Sequence, residues 1–250
     1  MLECVRMQVS NVNLPHARMA FGVGLLCVLC GVGAFDQGRV EAQVAKPFAL
    51  VGGMLIDGTG APPVRDSVIL IRGDRIERVG TVTSLPVPSE YEPISTEGMT
   101  VLPGLWDLHV HLIYSGHPNP GAWFRHAADF ERVTIPASAR QMLMAGVTSV
   151  RDLAAPADAI FAVKKRIASG ELPGPTLYAA GPALAKMAPD QPAPTSQFLP
   201  ILDAADARAK TRQLLDAGAD NIKIFFAERM SAEERNTIIS EAHARGRKVA

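Results

Sequence analysis

With 250 residues, 48% of them hydrophobic, the chain is long enough to bury a sizeable core in one or two domains. Its 25 basic and 25 acidic residues cancel, and no long basic run occurs, so nucleic acid is not an expected partner. The 21 glycines and 19 prolines are spread along the chain, with no internal repeat and no low-complexity block.

The first element is an uncharged run over residues 19–35, preceded by His16 and Arg18, which is the layout of a secretory signal. Four glycines and a short length argue against a stable membrane span. Val40-Glu-Ala42 offers small residues for cleavage before Gln43, and Val32-Gly-Ala34 is a second candidate. Residues 1–42 are therefore expected to be a signal segment, its signal near 16–42, with export to the periplasm or beyond. All three cysteines, Cys4, Cys27 and Cys30, precede that cleavage point, so no disulfide is expected in the exported chain. The Cys27/Cys30 spacing reads as small apolar packing within the run rather than as a redox pair.

From residue 43 to 103 the pattern is short β-rich runs and tight turns. Phe48-Ala-Leu-Val51 is apolar, Gly52-Gly53 breaks it, and Met54-Leu-Ile56 resumes. Ser67-Val-Ile-Leu-Ile-Arg72 and Arg75-Ile-Glu-Arg-Val79 flank Gly73-Asp74, a hairpin signal. A third apolar piece, residues 99–102, leads into Leu102-Pro-Gly-Leu-Trp-Asp-Leu-His-Val-His111.

That last string is the centre of the sequence. In a strand His109 and His111 share a face with Asp107, their rings roughly 7 Å apart along the chain. Such a pair can share a metal ion where the strand end opens into a cavity. On a surface strand it would be two solvated histidines, but the end of an apolar strand is a costly place for unpartnered polar rings. Asp107 is placed to hold a histidine ring from behind. The loop-rich residues 113–134 follow, carrying His117 and His126 as candidates to touch a substrate.

Helix and strand then alternate. Strands are predicted near 105–111, 147–151, 176–180, 221–225 and 248–250, spaced 27 to 45 residues apart. Helices are predicted over 137–145, from Pro156 to Gly170, over 204–217, and from a Ser231/Glu234 capping box to Arg245, where His243 faces outward. A proline-rich loop over 187–200 is placed to cover a site. This pattern means parallel strands with crossover helices; a doubly wound sheet shares it, but its phosphate-binding fingerprint is absent. Lys223 sits between Ile222 and Ile224 on an apolar strand, either directed inward, where an ammonium is costly unless neutralised or paired, or snorkelling out at the strand end.

Three segments resemble one family. Leu102-Pro-Gly-Leu-Trp-Asp-Leu-His-Val-His111 is similar to the first barrel strand of the amidohydrolase superfamily, in its imidazolonepropionase/prolidase-like branch. Leu55-Ile-Asp-Gly-Thr-Gly60 resembles a turn of that superfamily's small β-sandwich, and Gly218-Ala-Asp-Asn-Ile-Lys-Ile224 resembles its fourth barrel strand. The resemblance implies an α/β fold, a small β-sandwich module over 43–103 followed by an incomplete (β/α)8 TIM barrel over 104–250. It implies His109, His111 and Lys223 as metal ligands, with Lys223 carbamylated, and one or two divalent cations, zinc first among them. It implies hydrolysis of carbon–nitrogen bonds other than ordinary peptide bonds in a small-molecule substrate, through a metal-bound hydroxide.

Residues 104–250 number 147, whereas a complete barrel needs about 250. The histidines of strands five and six and the aspartate general base of strand eight have no counterpart here, so no catalytic residue is mapped. The chain is expected to be truncated, inactive and poorly soluble by itself, unless a second copy completes it as a homo-oligomer. A prolyl dipeptidase or a lactonase-like hydrolase is the alternative within the superfamily. An exported, non-catalytic metal-binding or interaction protein is the alternative outside it.

Overall fold

A computed structural model describes residues 46–114, 119, 124–188 and 195–250. The signal segment and His117 lie outside the described residues. Two compact units divide between Leu102 and Pro103.

The first unit is a five-stranded sheet. It contains β1 (Phe48–Leu55), β2 (Val64–Arg72), β3 (Arg75–Thr81), β4 (Glu92–Ser95) and β5 (Thr100–Val101). The order is β3-β2-β1-β4, with β5 also on β1. The expected hairpin is β2–β3, turning on Gly73 at φ +59°. Gly52-Gly53 does not end a strand as expected. Both lie inside β1, where Gly52 takes φ +92° and the register against β2 shifts on each side of Gly53. Gly53 N–H donates to Thr96 Oγ1 at 3.0 Å, and a Cβ at Gly53 would meet that oxygen at 2.7 Å. The pair is therefore a bulge that lets β1 run past a buried threonine. Both sheet faces carry apolar side chains: Ala49, Val68 and Leu70 in one cluster, Leu50, Ile69 and Ile71 in the other. That explains why β2 reads as a continuous apolar run rather than an alternating one.

The second unit is α/β. Its strands are β6 (Leu105–Val110), β7 (Val147–Asp152), β8 (Thr176–Ala179), β9 (Ala183–Ala185), β10 (Phe198–Pro200), β11 (Asn221–Ile222), β12 (Ile224–Phe225) and β13 (Lys248–Val249). The helices α1 (Ile135–Met144), α2 (Ala157–Ala168), α3 (Ala204–Asp216) and α4 (Ala232–Ala244) connect them. β6, β7 and β8 pair in parallel, as do β9 with β12 and β11 with β13. β6, β7 and β8 lie side by side in chain order, and Asp220 N–H donates to the Ala179 carbonyl at 2.9 Å and Leu184 N–H to that of Lys223 at 2.8 Å, which continues the order to β11 and β12; β10 departs from it, pairing with the other edge of β9. A doubly wound sheet reverses direction near its middle; this one does not.

Local signals set the helix ends. Pro156 is the N-cap of α2, Asp203 caps α3 by accepting from Asp206 N–H at 2.8 Å, and Ser231 and Glu234 form the expected capping box of α4. Two apolar layers lie between sheet and helices. Val110, Val150 and Leu177 meet Ile135, Ile160 and Val163, and further along Leu184 and Ile222 meet Leu214 and Ile238. At the start of β6, a Cβ on Gly104 would fall 1.9 Å from Thr148 Oγ1, so only glycine lets the two strands begin side by side.

Two expectations are corrected. Phe124–Asp129 is a 3-10 helix and Phe130–Thr134 a π-helical turn running into α1, where a loop was expected. Phe198–Pro200 belongs to a strand on β9, not to a cover, while residues 189–194 of that segment lie outside the described ones.

Candidate metal centre at the end of the first parallel strand

His109 closes β6 on its exposed side, and His111 follows half-buried. Their ring centroids are 5.3 Å apart at an interplanar angle of 68°. Simple alternation is not how they come together. Asp107 pairs with Val150 and Val110 with Asp152, so β6 spends three residues where β7 spends two. This bulge spans Leu108 and His109 and so interrupts the pleat at the first histidine, the kind of irregularity that re-aims side chains at a site. Asp107 does not hold an imidazole as expected: its Oδ1 accepts the backbone N–H of His109 at 3.0 Å.

Burial holds the His111 imidazole below its usual pKa; its interaction with the Ala154 backbone opposes this, while His109 and Lys223 nearby depress it further. A cation is disfavoured there, and the neutral ring is the form that ligates metal. His111 Nδ1 is buried with no hydrogen-bond partner. Tyr114 lies against the same ring, centroids 5.5 Å apart, and its hydroxyl donates to Gln197 Oε1 at 2.7 Å.

Lys223 occupies the single-residue gap between β11 and β12 and is half-buried. Burial, then the Arg151 guanidinium, push its ammonium below the usual lysine range. The structure brings the two histidines together, and Lys223 lies near enough to His111 to influence its charge. Among the described residues no three His, Cys, Asp or Glu side chains gather as a metal cluster; two imidazoles and a lysine amine are the donors available. Two neutral-capable imidazoles, one with an orphaned nitrogen, fit a divalent cation such as zinc. His126 is exposed in the 3-10 helix and His243 exposed on α4.

Asp152 was not expected to matter. It is 0% exposed, and its carboxylate accepts from Leu112 N–H at 2.8 Å and from Ala154 N–H at 3.2 Å. Desolvation raises its pKa to about 6 against those two hydrogen bonds, which lower it. Arg151 beside it donates from Nε to the Leu108 carbonyl at 2.8 Å. The sequence signal was an Arg-Asp pair closing a β-branched run, polar residues where the strand should have stayed apolar. Trp106 and Tyr178 stack across β7, centroids 5.6 Å apart, with Trp106 58% exposed.

Known proteins share sequence and fold with this chain. A profile of the amidohydrolase family matches residues 100–245, more than half of the chain. An imidazolonepropionase from Legionella pneumophila (strain Lens) is 38% identical over 71 residues, 27% of this chain and 17% of that protein. A Bifidobacterium longum protein assigned as a prolidase superposes with a TM-score of 0.68 at 27% identity, over 82% of this chain and 49% of its own. Molinate hydrolase superposes with a TM-score of 0.68 at 25% identity, over 82% of this chain and 53% of its own. The chain spans about half the length of the solved relatives it matches.

Proposed function

Because the chain belongs to the amidohydrolase family, we propose that it is the amino-terminal part of a metal-dependent hydrolase acting on carbon–nitrogen bonds other than ordinary peptide bonds. In this reading residues 104–250 are the first half of a (β/α)8 barrel, and the five-stranded sheet before them is a layer of the small β-sandwich. The observation that carries the reading is the His109–His111 pair, rings 5.3 Å apart at the carboxyl end of the first parallel strand. Sites of parallel barrels are built at that end.

His109 and His111 would hold a divalent cation, zinc by the nature of the donors, with Lys223 as the third ligand. When bound, such a cation supplies Lewis-acid polarisation of a carbonyl and a lowered pKa for water. The chain's own residues orient and exclude. Tyr114 packs the His111 ring from the side, the Leu112 segment is fixed by Asp152, and Trp106 with Tyr178 offers an apolar wall to a small-molecule substrate. Lys223 has no acidic partner among the described residues, and burial with Arg151 favours its neutral amine; that amine would add to carbon dioxide with release of a proton to solvent, giving an anionic carbamate ligand.

Metal analysis of the purified chain, with a panel of amides, cyclic imides, prolyl dipeptides and lactones, tests the reading. Bound zinc is expected, with turnover of an amide or imide only where a second copy or the remainder of the barrel completes the site. Turnover of prolyl dipeptides favours the dipeptidase reading, which the prolidase likeness supports. Bound zinc without turnover of any substrate even when the barrel is completed favours an exported binding protein, and absence of bound metal overturns the reading.

A further inference from the structure

Two consecutive residues of β7 reach sideways onto the histidine strand, one on each side of the ligand pair. Arg151 Nε donates to the carbonyl of Leu108, the residue before His109, at 2.8 Å. Asp152 Oδ2 accepts from the amide of Leu112, the residue after His111, at 2.8 Å. The register shift spans Asp107 to Val110, where β6 carries one residue more than β7 can pair; the Leu108 contact falls inside it and the Leu112 contact just beyond it. A bulge leaves its strand short of ladder hydrogen bonds and locally free to twist. Side chains take over what the ladder cannot do there.

The two grips differ in kind. The guanidinium is planar and permanently charged, so its Nε–H fixes a direction as well as a distance. The carboxylate is fully buried and takes two amides at once, Leu112 and Ala154. Ala154 in turn interacts with the His111 ring. A buried carboxylate with two backbone donors is hard to displace, because every donor it leaves would be stranded.

We propose that Arg151 and Asp152 are positioning residues, a paired clamp that sets the separation and orientation of the His109 and His111 rings for a divalent cation. The proposal rests on the metal-centre reading above. It assigns to β7 no contact with the metal; its residues act through the strand that carries the ligands.

The test uses the 250-residue chain with Asp152→Asn, Arg151→Lys, Arg151→Gln and His109→Ala. The probes are Co2+ alone, read by its visible absorption, and Zn2+ by competition with a chromophoric chelator. Thermal unfolding and the imidazole NMR signals are recorded without metal. Asp152→Asn and Arg151→Gln are expected to weaken Zn2+ by about 10–100-fold, the range typical of partners that orient a ligand. Both should alter the Co2+ bands and shift the His109 and His111 ring signals, leaving those of His126 and His243 in place. Arg151→Lys should recover part of the affinity. Unchanged affinity and unmoved ring signals, with only a lower unfolding temperature, would show that the two residues serve the fold alone and overturn the clamp. If the unaltered chain binds neither cation, the metal reading fails; the clamp is then decided by the ring signals of the metal-free variants alone. Should Asp152→Asn fail to fold, the half-buried Arg151 variants decide it by the same signals.

Discussion

The two sides of the candidate site are held in opposite ways. On the histidine side the backbone of β6 is fixed by side chains: Asp107 on the His109 amide, Arg151 on the Leu108 carbonyl, Asp152 on the Leu112 amide. On the lysine side the bonds are backbone ones. Leu184 N–H reaches the Lys223 carbonyl, and Ala250 bonds both Ile222 and Ile224, while the ammonium itself has no acid beside it among the described residues. One side is preset for a ligand; the other carries a long side chain with four rotatable bonds and a charge to be neutralised. The difference teaches that, in the proposed metal centre, the imidazoles would be placed by folding and the lysine amine completed by what binds or reacts there.

The largest expected effect breaks the comparison directly. His109→Ala and His111→Ala should each lower Zn2+ affinity by more than about 100-fold, and Lys223→Ala by less, measured by chelator competition. A larger loss from Lys223→Ala would reverse the ranking of the two sides.

Next come the cores beneath each side. Ile160 and Ile222 are both 0% exposed, one in each apolar layer. Replacing either by alanine should cost about 2–5 kcal/mol in urea unfolding, because a cavity is left as well as lost transfer energy. Equal midpoints by fluorescence and circular dichroism would show that the two layers unfold as one; separate transitions would sharpen the contrast between them.

A smaller effect depends on pH. Asp152 has a folded pKa of about 6, above its ordinary 3.8. The folded state therefore binds this proton more tightly than the unfolded chain. The stability so gained is complete below about pH 4 and is lost as pH rises through about 6, on the order of 2–3 kcal/mol. Asp152→Asn should flatten that segment of the stability–pH curve. An identical curve for the variant would mean that Asp152 is ionised at its ordinary pKa in the folded protein.

The smallest effect lies at the start of α4. Ser231→Ala removes one half of the capping box and should cost about 1 kcal/mol by chemical denaturation. It should leave Zn2+ affinity unchanged, since no site residue belongs to this helix.

Much of this arrangement was legible because its signals are local. A capping box, a proline at a helix start and a Gly-Asp loop each act within a few residues, and Ser231, Pro156 and Gly73 do in the fold what they suggest in the chain. The His-x-His pair and the lysine were legible because polar groups inside apolar strands are costly. Register was not legible. The bulge between Asp107 and Val110 exists only against β7, some 40 residues later, and alternation by itself could not place it. For the same reason Gly52-Gly53 read as a break, although pairing with β2 carries β1 straight through it. Glu92–Ser95 escaped notice because all four residues are exposed and one is proline, leaving no alternation to see. Asp152 was hidden by its partners, two backbone amides that carry no sequence signature.

Strand order that follows chain order has a consequence in time. β7 and β8 each pair with the strand before them, so this part of the sheet can grow by accretion while the chain is being synthesised. The histidine strand gains its lateral grip once Asp152 has emerged, but Lys223 lies 71 residues further on. At 5–20 residues per second that interval lasts roughly 4–14 s. During it a nascent chain presents two oriented imidazoles before the amine exists, and any cation captured then would meet histidine first and lysine last.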